Sequence, residues 1–429
     1  MEVKMAIPTR NEVPEELKWD LTRIFKNDDE WEQAYAAAQG KVAKLAELKG
    51  TLAKSGKNLY EGLTKILAVK RDVENIYVYA TMSSDVDTSN SHYLGYVSRV
   101  QSLANQFEAA TSFINPEILS IPSDKLEQFK QAEPRLKDYA HYLETITNKR
   151  PHTLPAEQEK LIADAGDALS VSENTFNVLT NSDMEYGYVQ DDDGNMEQLS
   201  DGLYSLLIQS QNRDVRKGAF DTLYATYGQF QNSLASTLSG VVKKHNYNAR
   251  VHKYNSAREA ALADNGVPVA VYDTLIQEVD SHIDLLHRYV ALRKKILGLK
   301  DLQMWDMYVP LTGRPSLSYN FEEAKETAKK ALAPLGEDYL KHVDYIFNNR
   351  VIDPIESKNK VTGAYSGGAY DTDPYELLNW EDNIDSLYTL VHETGHSVHS
   401  RYTRNTQPYV YGDYPIFVAE IASTTNENI

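Results

Sequence analysis

Apolar residues recur with a helical period along the first 180 positions, broken by short polar stretches. Across 27–48, Asn27 precedes Asp28, Asp29 and Glu30, and Trp31, Ala34, Tyr35, Ala38, Val42 and Leu45 follow at helical spacing, predicting an amphipathic helix with a side-chain cap. Leu59–Thr81 and Tyr93–Ile114, on either side of the polar turn Ser83–Asn90, predict an antiparallel helical hairpin. Pro116, Pro122 and Pro134 segment the chain before a helix at Tyr139–Thr147, and Pro151 and Pro155 mark a boundary before the next, Ala156–Leu169. The helical pattern resumes over Gly202–Asn246, Val269–Leu297 and Phe321–Asn348. Strands are expected in two places. Met184–Gln190 and Asn195–Leu199 flank the turn Asp191–Gly194, and Tyr375–Trp380 forms a second extended run. A calcium loop at Asp191 would require glycine at its sixth position, where Met196 stands, so a plain hairpin is the expectation. The fold class is therefore mainly α, with a small β element and one hairpin near 184–199.

Composition narrows the chemistry. The 429 residues carry 44 Lys+Arg against 62 Asp+Glu, a formal charge of −18, which repels a phosphate backbone and argues against nucleic acid. With no cysteine, disulfides, thiolate nucleophiles and thiolate metal sites are excluded, so a metal would have to be held by His, Asp or Glu. The longest apolar stretches, such as Val267–Tyr272, fall far short of the roughly 20 residues of a membrane-spanning helix. The first 30 residues lack a secretory signal pattern, and a cytoplasmic location is expected. Residues 361–429 hold 8 of the 29 Tyr and three of the 11 His, which directs the search for chemistry to that region.

There the run Val391–His399 contains His392-Glu393-Thr394-Gly395-His396. On a helix the two histidines lie about 40° apart on one face, so both imidazoles reach a single ion from adjacent turns. Glu393 points further round, towards a metal-bound water. Chance would produce this pattern on the order of 0.02 times in a chain of this length, which disfavours a solvated face with incidental histidines. A third histidine six residues beyond His396 is absent, since Tyr402 stands there, and the acidic residues that follow are Asp413, Glu420 and Glu427. Glu420 lies in a second helical pattern opened by Pro415, and two imidazoles, one carboxylate and water make the open, four-coordinate arrangement of a catalytic zinc.

Around this core, His399 is expected to pack or support rather than ligate, because Glu420 fills the same angular space. Glu427, two turns from Glu420, is a candidate for orienting a ligand histidine or a plain surface residue. Gly395 inside a helix costs about 1 kcal/mol relative to alanine, a cost explained if another backbone or the substrate comes close. Tyr375–Trp380 is expected either to pair with an extended peptide or to pack on the metal helix. The tyrosines of 365–375 and 409–414 either line a cleft or pack between helices, with Tyr365 and Tyr375 the named cleft candidates.

Gly363–Ser366, Tyr375–Trp380, His392–His396 and Phe417–Thr424, with Trp19-Asp20-Leu21 and Leu179–Asp183 earlier in the chain, resemble the thimet oligopeptidase (M3) family of zinc metallopeptidases, and within it the oligoendopeptidase F group. The resemblance implies one zinc per chain on His392, His396 and Glu420, with Glu393 as general base. It implies an elongated, multi-helix, neurolysin-like zincin fold whose channel admits short peptides. It divides the chain into an N-terminal helical region (1–110), an oligoendopeptidase F N-terminal-type domain ending in the hairpin (111–200) and an M3-type catalytic domain (201–429). The family's transition-state-stabilising Tyr and His residues lie beyond Ile429, so the resemblance also implies a C-terminally incomplete chain with little activity of its own. If such a chain is active, the oxyanion donor has to come from Tyr365, Tyr370, Tyr409 or Tyr411. The expected function is hydrolysis of internal bonds in short peptides; the alternatives are a dipeptidyl carboxypeptidase of the same zincin class and a zinc- or peptide-binding fragment with impaired turnover.

Overall fold

A computed structural model describes residues 8–313 and 317–429. Helices dominate, and the chain divides into two compact units, Met1–Arg150 with Leu317–Ile429, and Pro151–Ser316. The boundary marked by Pro151 coincides with this division, and compactness joins the first 150 residues to the last hundred. Among the described residues, no helix is long and apolar enough to cross a membrane.

The first unit opens with helices α1 (Asp28–Ala43), α2 (Gly56–Asp85), α3 (Ser91–Thr111), α4 (Ile114–Ser120), α5 (Ser123–Ala132) and α6 (Ala140–Thr147). Asn27 caps α1, its side-chain oxygen accepting from the Glu30 N–H at 3.0 Å, as the sequence predicts. Trp31 stacks on Tyr96 with ring centroids 3.7 Å apart and donates its indole N–H to the Ile76 carbonyl at 3.0 Å, locking α1 against the α2–α3 hairpin. Around it Leu45, Leu59, Leu63, Leu103 and Leu143 make a continuous buried core.

The second unit contains α7 (Ala156–Asp164), α8 (Gly166–Val178), the hairpin β1 (Tyr188–Gln190) and β2 (Met196–Gln198), α9 (Asp201–Leu207), α10 (Arg213–Gln229), α11 (Gln231–Val251), α12 (Ala257–Ala263), α13 (Val269–Ser281) and α14 (Ile283–Ile296). The helical pattern read over Gly202–Asn246 is carried by three helices, and that over Val269–Leu297 by two, which meet at His282. The β1–β2 turn is closed by its own groups: the Asp191 carboxylate accepts from the Asp193 N–H at 2.9 Å and the Asn195 N–H at 2.8 Å. At its centre, Asp306 is fully buried and receives Arg213 at 2.8 and 3.0 Å and Arg216 at 2.8 Å. Burial alone would raise this carboxyl, but hydrogen bonds from the two guanidinium groups and the Gln303 N–H outweigh it and hold the pKa at about 2.

The chain then returns to the first unit through α15 (Phe321–Leu332), α16 (Glu337–Asn348), β3 (Ile352–Ile355), β4 (Tyr365–Gly367), β5 (Tyr375–Trp380), α17 (Ile384–Thr406) and α18 (Ile416–Asn428). The helical pattern read over Phe321–Asn348 is carried by two helices divided at Gly336, whose φ of +93° starts α16 on a new axis. The sheet order is β3-β5-β4, with β3 parallel and β4 antiparallel to the central β5. Asp353 on β3 is fully buried and accepts from Arg10 at 2.5 and 2.9 Å, Lys360 at 2.8 Å and the Trp19 N–H at 3.3 Å, fastening the N-terminal segment to the sheet. Leu377, Leu378, Leu390 and Val398 belong to the buried core around the sheet and α17.

Asp306→Ala strands two guanidinium groups in the second unit, and denaturant titration should show a loss of about 3–5 kcal/mol. Because the folded pKa lies below the unfolded value near 3.8, the Asp306 contribution is full above pH 4 and fades as pH falls towards 2; the acid dependence over that window should flatten in the variant.

Candidate metal centre

Asn383 caps α17 by accepting from the Ser386 N–H at 2.8 Å, and Leu390, Val391 and Val398 bury one side of the helix. This leaves His392 and His396 partly exposed on the flank, as the helical wheel predicts. α18 crosses α17 at Gly395. A Cβ at that position would stand 2.8 Å from both the Ala422 carbonyl oxygen and the Ser423 Cα, so only glycine permits the approach. Asn426, also buried, donates to the Val391 carbonyl at 2.8 Å and accepts from the Tyr339 hydroxyl at 2.7 Å, pinning the crossing.

The crossing brings three ligand-type atoms together. Nε2 of His392, Nε2 of His396 and one oxygen of Glu420 form a triangle with sides of 3.2, 3.4 and 3.4 Å. Ligands bonded to one ion at about 2.0–2.1 Å with tetrahedral angles stand about 3.3–3.4 Å apart, so the triangle has the size of one face of a coordination tetrahedron. Glu427 lies 2.5 Å from Nδ1 of His392. A carboxylate only accepts, so the proton sits on Nδ1 and Nε2 turns a lone pair into the triangle, where it meets the Glu420 carboxylate. A cation satisfies both. Burial lowers the pKa of His396, with His392 adding to the effect against Glu420, which favours the neutral, ligating imidazole. Ser423 donates to the Glu420 oxygen at 2.7 Å, and this bond, ahead of the two histidines, keeps the carboxyl below its ordinary range.

Glu393 is buried beside this triangle. Burial raises its pKa, opposed by the adjoining His392 and by the Ser366 N–H of β4, which faces its carboxylate. Sequence reasoning missed the group behind it. Glu376 on β5 is fully buried, neither of its oxygens has a full hydrogen bond among the described residues, and the Ser397 and Thr394 hydroxyls of α17 face it. Burial, helped by the nearby Glu393 charge, lifts its pKa to about 8, so at neutral pH it is a carboxylic acid. The signal was present: a lone acid between Tyr375 and Leu377 in an otherwise apolar strand.

The remaining candidates fall elsewhere. His399 lies flat on Tyr414, ring centroids 3.7 Å apart, outside the triangle. The Tyr375 hydroxyl donates to the Asp20 carbonyl at 2.9 Å from a ring fully buried in the core, which removes it from a cleft-lining role. The Tyr365 hydroxyl donates to Asp85 at 2.7 Å, Tyr370 to the Gln407 carbonyl at 2.7 Å and Tyr409 to Glu74 at 2.9 Å; Tyr411 accepts from the Tyr142 N–H at 3.1 Å. None of these bonds involves the triangle. The expectation that Tyr375–Trp380 pairs with a peptide needs correction: β5 is the middle strand with both edges taken, so the edge nearest Glu393 belongs to β4.

Comparison with known proteins places this geometry in context. Residues 206–429 match the sequence profile of Peptidase family M3, and residues 117–186 match that of Oligopeptidase F. Oligopeptidase PepF of Bacillus subtilis is 48% identical over 421 residues, covering 98% of this chain and 63% of that protein. The plasmid-encoded oligoendopeptidase F of Lactococcus lactis subsp. cremoris is 44% identical over 421 residues, covering 98% and 70%. The chain thus spans about two thirds of the length of these relatives. Among solved structures, a peptidase of Chlamydophila abortus superposes with a TM-score of 0.89 at 32% identity, over 99% of this chain and 71% of that one. Oligoendopeptidase F of Enterococcus faecium gives 0.64 at 38% identity, over 94% and 66%.

Gly395→Ala should force α18 off α17 and separate Glu420 from the histidine pair; titration with zinc should show at least tenfold weaker binding, about 1.4 kcal/mol or more. For Glu376, the folded pKa near 8 lies above the unfolded value near 4.5, so the unfolded chain releases this proton first and stability falls as pH rises between those values, levelling off above 8. Thermal unfolding of Glu376→Gln should therefore lose less stability than the parent between pH 5 and 8.

Proposed function

The chain belongs to peptidase family M3, and on that premise we propose that it is a zinc metalloendopeptidase acting on internal bonds of short oligopeptides. The observation that carries the reading is the tetrahedral-sized triangle of His392, His396 and Glu420 with the buried Glu393 beside it. Two imidazoles and one carboxylate suit zinc and leave the fourth position for water, the open arrangement of a catalytic rather than structural site. When bound, zinc would lower the pKa of such a water towards about 7 and polarise the scissile carbonyl.

The protein groups divide the remaining work. Glu427 fixes the tautomer and orientation of His392. Glu393, its proton affinity raised by burial, accepts a proton from the attacking water and returns it to the amine nitrogen as the C–N bond breaks. The Ser366 N–H faces the Glu393 carboxylate from β4, an edge strand to which an extended peptide can add. Main-chain pairing of this kind favours unstructured peptides over folded proteins. The names of the Bacillus and lactococcal relatives, oligopeptidase and oligoendopeptidase, support the same substrate class.

The test joins metal analysis to peptide cleavage. One zinc per chain should be lost in the His392→Ala/His396→Ala double variant and kept in Glu393→Gln, which should cleave an internally quenched peptide about 10²–10⁴-fold more slowly. A peptide blocked at both ends should be cut internally, whereas a folded protein should survive. Full zinc occupancy in the double variant, or undiminished turnover in Glu393→Gln, overturns the assignment.

A further inference from the structure

Within the first unit a cavity of about 630 Å³ runs along one face of α2 from Leu67 to Asp85. At 1.5 Å per residue this wall is about 27 Å long, the reach of roughly eight residues of extended chain. The cavity lining includes Gly367 and Gly368, which continue directly from Ser366, the residue whose N–H faces Glu393. A peptide paired along β4 would pass beside this cavity.

The charges lining the cavity are unevenly matched. Its cations are Lys70 and Arg404; its carboxylates are Glu74, Asp85, Glu108 and Asp413. Lys70 stands 3.5 Å from Glu74, which also accepts from the Tyr409 hydroxyl. Arg404 donates to the carbonyls of Gly368 and Thr372, at 3.2 and 3.4 Å, with Asp413 among the acids that offset its charge. Glu108 is exposed at the rim on α3. Asp85 differs from all of these. It is half-buried, it forms no ion pair among the described residues, and its single side-chain partner is the Tyr365 hydroxyl at 2.7 Å. It is also the last residue of α2, where the helix dipole adds negative potential. Burial lifts its pKa, with Tyr365 opposing, so a cation placed beside it would relieve a standing desolvation cost. The walls leading to it carry Val78, Met82 and Phe107, apolar surface for the aliphatic stem of a lysine or arginine whose charged tip reaches the carboxylate.

We propose that Asp85, held by Tyr365, is the specificity-determining carboxylate of a subsite for a basic side chain of the peptide. The inference rests on the peptidase reading and gives it a substrate class: short peptides carrying Lys or Arg near the scissile bond. It also gives Tyr365 a task as a positioning residue, since its hydroxyl leaves the second Asp85 oxygen for the guest.

The test uses binding, so that it does not depend on turnover. A set of fluorescent octapeptides, blocked at both ends, carries one arginine at each successive position in an otherwise neutral sequence; a matching set carries norleucine. Their affinities are measured by anisotropy on zinc-loaded Glu393→Gln. In one register arginine should bind about tenfold more tightly than norleucine. Asp85→Asn should bring that ratio close to one, Tyr365→Phe should reduce it, and Asp85→Lys should reverse the preference towards a glutamate peptide. Thermal melts and zinc content confirm that each variant is folded, and the gain seen with Asp85→Lys cannot arise from misfolding. Equal binding of arginine and norleucine peptides in every register, an arginine preference that persists in Asp85→Asn, or no peptide binding at all would overturn the proposal. Cleavage of the norleucine peptides by the unmodified chain tests the peptidase reading separately.

Discussion

The close crossing of α18 over Gly395 is the contact on which the centre depends. Two histidines on one helix define only a line of approach; the carboxylate has to come from elsewhere, and it arrives because α18 can lie against the α17 backbone without an intervening Cβ. The same face of α18 then supplies three further groups at helical spacing: Ser423 turns Glu420, Asn426 binds the Val391 carbonyl, and Glu427 sets His392. Each is useful only at this distance. An isolated thirteen-residue helix is marginal in water, so α18 draws its order from the surface it covers, and metal affinity and helix docking become a single equilibrium.

Behind α17 the arrangement is electrostatic. A chain with a charge of −18 places Glu393 and Glu376 on facing elements, away from solvent, with His392 beside Glu393 only. Two such carboxylates cannot both ionise cheaply. Keeping Glu376 protonated leaves the negative charge to Glu393, next to the metal position, and gives the Ser397 and Thr394 hydroxyls a neutral neighbour. Charged groups elsewhere in the core follow the opposite rule: Asp353 and Asp306 are buried with two or more donors each, and ionised partners make burial tolerable.

Much of the site was legible because helical periodicity and ligand chemistry act locally. His392, Glu393 and His396 share one helix, and the helical pattern opened by Pro415 singled out Glu420 among the three acids that follow. What escaped were relations between distant segments. The central position of β5 depends on strands at 352 and 365, neither of which has a distinct periodic signal. The role of Tyr365 depends on Asp85, 280 residues earlier. Glu376 was hidden because alternation in a short strand does not tell which face is buried. The return of the chain to the first unit escaped for a similar reason: the helices of α14 and α15 have the same period, so nothing in the pattern marks the return at 317.

That return has a temporal side. Arg10 and its partner Asp353 are 343 residues apart, and the whole second unit lies between them. At about 5–20 residues per second of synthesis, the N-terminal segment waits on the order of 20–70 s for the strand it binds. The second unit, residues 151–316, has its full sequence before that strand exists. The first unit must therefore hold its α1–α3 core together alone, with the surface that will receive the sheet still open. The order of birth along the ribosome makes this surface, rather than the metal centre, the place where chaperones or premature pairing would act on the nascent chain.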